Sequence, residues 1–502
     1  MHSFRNTSIR SLVLALGLSA GCNWASFDDY ENEAPIRVHT RSGKYDRPDY
    51  GKVLLTYEVE LSGKSVSRIV ASSGGKSPIA IARAWNGTGV SESAPLVYCG
   101  TESECAKARD YGATLIPFEV WGPGSAGERR GCVFSPSNGL LASSADDPRP
   151  GGEGYLVCET HKPPQDFPLG QALTEARDGD GNSLVFSGFG LPPEHPLGVV
   201  LFGAYASDNK TREPHRGALY AQPQLDTAKQ EAPWSVPVPL VDPATQLPFS
   251  DDPEAGDFGA QVVGKLNEAG QLVIAVAQPS KQRVIIATYD DKLEGDPVER
   301  FRVRACVESP DAGLRGFGER LLLGDVTGDG EPELFVGVDP ASGVEPGKQA
   351  LFMFAGTGLP AVAEGEVCPP WGSPAVDVEC NNVDGVACAG SAFGSSIAIG
   401  DIDADGTGDL LVGAPFAKVA GVDQAGAVWI LPGTDNGLSL DRAAALTGPT
   451  SAKARFGWSV AALRTNGRDE PVIAAPGSNE LFVSMCTPLE RGFGGADLCL
   501  AP

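Results

Sequence analysis

The fold is decided by the stretch Phe393-Gly394-Ser-Ser-Ile-Ala-Ile-Gly400-Asp401-Ile402-Asp403-Ala404-Asp405-Gly406-Thr407-Gly408-Asp409-Leu-Leu-Val-Gly413-Ala414-Pro415. A short apolar run is followed by a loop rich in Asp and Gly, and a second apolar run follows the loop. Two short apolar runs joined by such a loop are typical of a β-hairpin. Residues 317–337 repeat the same order. The sequence therefore predicts an all-β protein built from hairpin repeats.

These residues resemble the FG-GAP repeat of integrin α-subunits, whose name is spelled here by Phe393-Gly394 and Gly413-Ala414-Pro415. More degenerate copies begin at Phe456-Gly457, Phe258-Gly259 and Leu169-Gly170. The resemblance implies an integrin-α-like β-propeller, in which four-stranded sheets called blades form a closed ring. The hairpin loops near positions 74, 125, 179, 267, 328, 404 and 466 predict a seven-bladed β-propeller.

The blades without clear repeat residues are placed by strand pattern alone. In the first blade, the run 68–71 is expected to be the first strand. In the third blade, the run 184–188 is expected to be the second strand, after an acidic loop at 178–182. Residues 51–60 are expected to close the ring against the last blade, because closure removes exposed sheet edges. Residues 206–256 and 361–392 are expected to be loop insertions, and the sequence leaves open whether they bind a partner or are decoration.

The loop from Asp401 to Asp409 has acids at offsets 1, 3, 5 and 9. Carboxylates this close repel one another unless a cation lies among them, and calcium accepts six to eight oxygen ligands in flexible geometry. An EF-hand would need Glu at offset 12 between two helices, but Val412 occupies that offset in an apolar run. A metal-free Asp-Gly turn is the alternative. The expected ligands are Asp401, Asp403, Asp405, the backbone carbonyl of Thr407, and Asp409.

Two other loops are weaker candidates for calcium. The second loop has Thr at the second ligand position and Glu at the last. Its expected ligands are Asp325, Thr327, Asp329, the backbone carbonyl of Glu331, and Glu333. The third loop lacks an acid at the last position, and its possible ligands are Asp178, Asp180 and Asn182. The sequence thus predicts one to three structural calcium ions, which pin the hairpin loops on one face of the propeller.

The N-terminus is expected to be a targeting segment. Arg5 and Arg10 precede a short apolar run, and Leu18-Ser19-Ala20-Gly21-Cys22 resembles a bacterial lipobox. The resemblance implies that residues 1–21 are a lipoprotein signal peptide and that Cys22 is lipidated, most simply at the outer membrane. Ser19 stands where a lipobox has an apolar residue, so an ordinary signal peptide is the alternative. Residues 22–50 are expected to form a flexible tether, with a partly ordered N-terminal arm as the alternative, and residues 51–502 the propeller.

The cysteines indicate disulfides in an exported protein. The chain has 11 cysteines and no CxxC pair. Removing Cys22 leaves an even set, which favours disulfides when the chain is exported. Pairing of nearest neighbours would close five local loops, but the sequence does not fix the connectivity. The candidates are Cys99, Cys105, Cys132, Cys158, Cys306, Cys368, Cys380, Cys388, Cys486 and Cys499.

The functional prediction is a binding module and not an enzyme. The formal net charge of −25 makes nucleic acid and anionic lipid surfaces poor partners. Five histidines are scattered, and no HExxH or GxSxG motif is present. The resemblance implies adhesion or scaffolding, with an envelope or extracellular protein or glycan as partner, and membrane contact through the N-terminal lipid. The alternatives are a hydrolase or lyase acting on envelope polymers, and a structural subunit of an envelope complex.

Overall fold

The computed structural model describes a large part of the chain. The described residues are 36–40, 51–61, 64–72, 80–85, 90–92, 114–121, 129–136, 154–158, 185–198, 200–204, 218–222, 238–239, 258–290, 292, 300–310, 314, 316–338, 351–356, 370–371, 374–378, 380, 386–388, 390–448, 451–465 and 468–483.

The described elements are β-strands, with two short 3-10 turns at Pro279–Lys281 and Leu440–Arg442. The strands are β1 (Ile36–Thr40), β2 (Val53–Leu61), β3 (Lys64–Ser72), β4 (Ala80–Trp85), β5 (Val90–Glu92), β6 (Ile116–Trp121), β7 (Arg129–Pro136), β8 (Gly154–Cys158), β9 (Val185–Gly190), β10 (Val200–Ala204), β11 (Ala218–Gln222), β12 (Val238–Pro239), β13 (Val262–Leu266), β14 (Leu272–Gln278), β15 (Arg283–Tyr289), β16 (Phe301–Glu308), β17 (Arg320–Gly324), β18 (Glu333–Gly337), β19 (Leu351–Phe354), β20 (Val376–Asp377), β21 (Val386–Ala387), β22 (Ser396–Gly400), β23 (Asp409–Ala414), β24 (Lys418–Val419), β25 (Ala427–Leu431), β26 (Ala444–Thr447), β27 (Ser459–Thr465), β28 (Arg468–Ala475) and β29 (Glu480–Val483).

In the described part of the chain, these strands form seven sheets of three or four strands and one two-stranded sheet. Neighbouring strands within a sheet are antiparallel. The sheets, in chain order, are β2-β3-β4-β5, β6-β7-β8, β9-β10-β11-β12, β13-β14-β15-β16, β17-β18-β19-β20, β22-β23-β25-β26 and β27-β28-β29-β1, with β21-β24 as the small pair.

The sheets follow one another as the blades of a propeller. The first strands β9, β13, β17, β22 and β27 contact one another in succession, β6 contacts β9, and β2 contacts β7. The strand β2 of the first sheet also lies against β27 of the last sheet. The all-β propeller fold predicted from the sequence is confirmed. The count of seven blades stays a prediction, which the seven sheets support.

The core lies between consecutive sheets. The central strand β18 is buried along its whole length. Leu334 and Val336 belong to the cluster shared with the preceding sheet, whereas Phe335 belongs to the cluster shared with the following sheet. Successive side chains of a strand point to opposite faces, so a blade with neighbours on both sides needs apolar residues at consecutive positions. This explains why the second strands read as unbroken apolar runs.

The first sheet corrects two expectations about the N-terminal strands. Residues 51–60 do not add a strand to the sheet of the last blade, since β2 pairs along its length with β3 and begins the first sheet. The run 68–71 is consequently in the second strand and not in the first. The strand that pairs with the last blade is β1, which lies antiparallel to β29. Part of the segment 22–50, for which the sequence favours a tether, is therefore a strand.

The third sheet corrects the expected strand register. The run 184–188 was expected as a second strand, but β9 pairs with β10 and lies against β6 and β13, the first strands of the neighbouring sheets. The predicted hairpin loop at 178–182 thus precedes the first strand of its sheet. The alternating pattern of a strand does not show whether it is the first or the second strand of its blade. This blade also lacks the repeat residues that would identify its first strand. The blades other than the first and the third have the predicted strand order.

The structure contains no α-helix in its described residues that is long and apolar enough to cross a membrane.

Candidate metal-binding loops

The two acidic loops occupy equivalent places in neighbouring sheets. The loop 401–408 joins β22 to β23, and the loop 325–332 joins β17 to β18. Both turn sharply enough to need a left-handed backbone at a glycine. Gly406 has φ +92°, and Gly330 has φ +82°, a conformation that residues with a Cβ rarely adopt. The glycines therefore permit the sharp turn that each loop makes between its two strands.

The first loop gathers three of its predicted ligands. Asp401, Asp403 and Asp405 each offer a carboxylate oxygen, and these three oxygens lie within 4.8 Å of one another. The backbone of the loop holds this arrangement. The amide of Gly406 donates to Asp401 Oδ1 over 3.3 Å, and the amide of Thr407 donates to Asp405 Oδ1 over 2.7 Å. Asp401 and Asp403 are half-buried, and Asp405 is exposed.

The fourth predicted acid, Asp409, lies beneath the loop and is buried, with 1% of its surface exposed. Its Oδ2 accepts the amide of Ile402 over 2.8 Å, and its Oδ1 accepts the amide of Gly433 over 3.0 Å. Burial, assisted by the negative charge of Asp403, raises the pKa of Asp409 to about 7 in spite of these hydrogen bonds. The backbone therefore holds the carboxylate in place at a position where burial disfavours its negative charge.

The pKa of Asp403 is shifted in the same direction as that of Asp409. Burial raises the pKa of Asp403, and the charges of Asp405 and Asp401 add to the rise, while Arg442 opposes it. A cation among these side chains would relieve the burial cost and the mutual repulsion together. Thr407, whose carbonyl is the remaining predicted ligand, lies two residues after Asp405 in the same loop.

In the second loop, protein donors satisfy the predicted ligands more fully. Asp325 accepts the amides of Thr327, Gly328 and Gly330 over 3.1, 2.6 and 2.8 Å. The hydroxyl of Thr327 lies 3.4 Å from Asp325 Oδ1 and 3.3 Å from Glu333 Oε1. By the criterion that the first loop meets, the structure does not bring Asp325, Asp329 and Glu333 of this described loop into a three-acid cluster.

Glu333 occupies the position that corresponds to Asp409. It is buried, with 1% of its surface exposed, and it accepts the amides of Val326 over 2.9 Å and Gly356 over 3.3 Å. Burial raises the pKa of Glu333, in spite of these hydrogen bonds. The two loops therefore share one device, in which a buried acid at the start of the second strand anchors the loop and the segment after the third strand.

Sequence reasoning missed the contacts that each acidic loop makes with neighbouring sheets. The amide of Gly408 donates to the carbonyl of Asp325 over 3.2 Å, which joins the two acidic loops directly. The side chain of Asn267, from the preceding sheet, donates to both carboxylate oxygens of Glu331 over 3.2 Å. Asp469, from the last sheet, accepts the amide of Asp401 over 2.8 Å. The available signal was the repeat register, because equivalent loops of consecutive blades lie side by side.

Several predicted sites lie outside the described residues. These are Asp178, Asp180, Asn182, Cys22, Cys99, Cys105, Cys368, Cys486 and Cys499. The disulfide Cys380–Cys388 is present in the insertion 361–392, so this nearest-neighbour pairing is confirmed. Cys132 and Cys306 are also disulfide-bonded. The side chain of Cys158 is not described, although its backbone pairs with Cys132 in the register of β7 and β8.

Comparison with known proteins agrees with the geometry of these loops. The FG-GAP repeat family matches residues 393–431, which contain the first acidic loop. Integrin alpha-IIb of Homo sapiens is 28% identical over 182 residues, which are 35% of this chain and 16% of the integrin. The chain therefore matches only a small part of the length of that relative.

Solved structures are more distant. The Dos1 propeller has 11% sequence identity and a TM-score of 0.34, over 74% of this chain and 66% of that chain. A GH43_1 enzyme from Xanthomonas citri has 13% identity and a TM-score of 0.33, over 68% of this chain and 98% of that chain. Similarity at this level carries no argument about function.

The sheet order and the acidic hairpin loops define a β-propeller with loops suited to a hard cation. Residues 393–431 match the FG-GAP repeat family, and about a third of the chain is similar to integrin alpha subunits. These matches support an FG-GAP, integrin-α-like kind of propeller.

Proposed function

We propose that this protein is a calcium-binding propeller of the cell envelope that acts as a binding, adhesion or scaffold module. The observation that carries the proposal is the cluster of Asp401, Asp403 and Asp405 in an FG-GAP hairpin loop. The role assigned to calcium is structural: it holds the hairpin loop in one conformation at the end of the sheet.

The donor set fits calcium on chemical and geometric grounds. Calcium–oxygen distances of 2.3–2.6 Å allow two ligand oxygens of one ion to lie up to about 5 Å apart. The three carboxylate oxygens lie within 4.8 Å of one another, so one ion reaches all of them. When bound, the ion supplies positive charge beside Asp403 and Asp409, whose pKa values are raised by burial. The chain's own contribution is to orient the carboxylates of Asp401 and Asp405 through the amides of Gly406 and Thr407.

Calorimetric titration of the purified protein with calcium after removal of divalent ions tests this site. We expect binding with a stoichiometry of one to three, and we expect Asp403→Asn to weaken the tightest site by an order of magnitude or so, since it removes one charged ligand. Asp435→Asn is the matched control, because it removes an exposed acid outside the loop. Absence of binding, or equal weakening by both variants, would contradict the calcium proposal.

The envelope location and the partner form the second part of the proposal. The lipobox-like sequence ending at Cys22 supports lipid anchoring, and the integrin similarity supports contact with an envelope or extracellular protein or glycan. Metabolic labelling with a radioactive fatty acid tests the anchor, and we expect the label to be lost in Cys22→Ser. Affinity capture from intact envelopes with calcium or with chelator tests the partner. Recovery of neither a stoichiometric protein nor a glycan would count against a binding role.

A further inference from the structure

We propose that Arg464, from the last sheet, is a built-in counter-ion of the acidic loop and sets its affinity for cations. This inference rests on the proposed calcium function and adds a residue that lies outside the repeat containing the ligands. Arg464 is at the end of β27, and its Nη1 lies 3.7 Å from Asp401 Oδ2 and 3.4 Å from Asp469 Oδ1. The same guanidinium therefore contacts a ligand acid and a neighbouring acid.

The contact is built by the backbone and is not a chance meeting of two surface side chains. The amide of Asp401 donates to Asp469 Oδ2 over 2.8 Å, and the amide of Asp469 donates to the carbonyl of Asp401 over 2.8 Å. This reciprocal pair fixes the start of the acidic loop against the start of β28. Arg464 and Asp469 face each other in the register of β27 and β28, so both side chains leave the sheet beside Asp401.

The charges imply competition between the guanidinium and the metal. Asp401 is a predicted ligand of the ion, and its Oδ2 already has a positive group nearby. A divalent ion in the loop repels that group and competes with it for Asp401. Asp469 acts in the opposite direction, because its negative charge lies next to the loop and attracts the ion. The hairpin of β27 and β28 lacks the Asp-rich pattern of the two acidic loops, yet it supplies one residue that lowers cation affinity and one that raises it.

This arrangement makes opposite predictions for two neighbouring variants. Arg464→Gln is expected to tighten calcium binding about three- to tenfold, since the removed charge is half-exposed and partly screened by solvent. Asp469→Asn is expected to weaken calcium binding by a similar factor, because it removes a negative charge and keeps an oxygen that can accept the amide of Asp401. A merely structural role for both residues would make both variants weaken binding.

Two controls separate charge from shape. Arg464→Lys keeps the positive charge and is expected to retain the affinity of the unchanged protein. Lys453→Gln removes an exposed positive charge before the opposite end of β27, roughly 17 Å or more away along the strand, and is expected to change nothing. Raising sodium chloride from low to high concentration is expected to shrink the difference between Arg464→Gln and the unchanged protein, because salt screens exposed charges.

The experiment is titration of the full chain with calcium by calorimetry, with thermal melting in chelator and in excess calcium as a second readout. Tighter binding in Arg464→Gln and weaker binding in Asp469→Asn support the proposal. Equal or weaker binding in Arg464→Gln, with the protein folded and the calcium site intact, overturns it and leaves the calcium function standing. If neither the unchanged protein nor any variant binds calcium, the proposed function itself fails.

Discussion

The buried acid Asp409 makes the stability of the metal-free protein depend on pH in an unusual direction. Burial raises its pKa from 3.8 to about 7. The folded protein therefore binds this proton more tightly than the unfolded chain does. Linkage then requires that stability falls as pH rises between about 4 and about 7, with the full loss present above that window. The full loss is about 4 kcal/mol at about 1.4 kcal/mol per pKa unit.

Urea unfolding in chelator, followed by tryptophan fluorescence at several pH values from 5 to 8, measures this effect. Between pH 5 and pH 8 the single group is expected to lower the free energy of unfolding by about 3 kcal/mol, because part of the loss has already occurred at pH 5. The pKa values of Glu333 and Asp403 are also raised, so their contributions have the same sign.

Asp409→Asn is the matched variant, since its neutral side chain has the same shape and does not titrate. We expect the pH dependence of this variant in chelator to be flatter than that of the unchanged protein by about 3 kcal/mol over the same range. Excess calcium is expected to remove the decline in the unchanged protein, because the ion stabilises the ionised carboxylate and binds only the folded state. Identical pH dependence in the two metal-free proteins would refute the reasoning.

Three other predictions concern packing, the loop junction and the N-terminal strand. Phe393 packs edge-on against the buried Trp429 at 5.5 Å, so Phe393→Ala should cost about 3–5 kcal/mol of unfolding free energy, and a cost below 1 kcal/mol would contradict the packing. A Cβ at position 433 would meet the Gly408 carbonyl oxygen at 2.2 Å, so Gly433→Ala should lower stability by about 1–3 kcal/mol in chemical unfolding and weaken calcium binding; unchanged values would contradict the close contact. Deletion of residues 23–40 should lower the melting temperature because β1 is lost, whereas deletion of 23–35 should not, and equal melting of the two would argue against the pairing of β1 with β29.

The repeat residues predicted the fold because each is required by the packing or by the backbone conformation at one position in the blade. Phe317 and Phe393 are buried between sheets, and the glycines that follow them have positive φ. Where these residues are present, the expected strands agree with β17–β19 and with β22, β23 and β25. Where they are absent, as at 68–71 and 184–188, the expected strands slip by one, because an apolar run fits the first or the second strand equally well.

The candidate site was predictable only within one loop. The alternate spacing of Asp401, Asp403 and Asp405 along the chain predicts that their carboxylates lie close together, since a turn with a glycine brings alternate residues together. The positions of Arg464 and Asn267 beside the acidic loops depend on which blades are neighbours and on how their loops meet. That information is in the packing of the propeller, and no local pattern contains it. For the same reason, the sequence did not show that Asp409 accepts the amide of Gly433, which follows the third strand of the blade.

The two acidic loops differ in how their negative charge is balanced. This difference indicates that the first loop favours a bound cation more strongly than the second. In the second loop, Thr327 replaces an acid and places its hydroxyl near Asp325 and Glu333, while Asn267 donates to Glu331. Neutral donors thus satisfy carboxylates without a cation. In the first loop, the acid at the corresponding position, Asp403, has its pKa raised by burial and by its acidic neighbours. Charge balance in the first loop therefore favours a cation more strongly, and the amide of Gly408 joins this loop to the second through the carbonyl of Asp325. We therefore expect an ion bound at the first loop to stiffen the junction of the two blades.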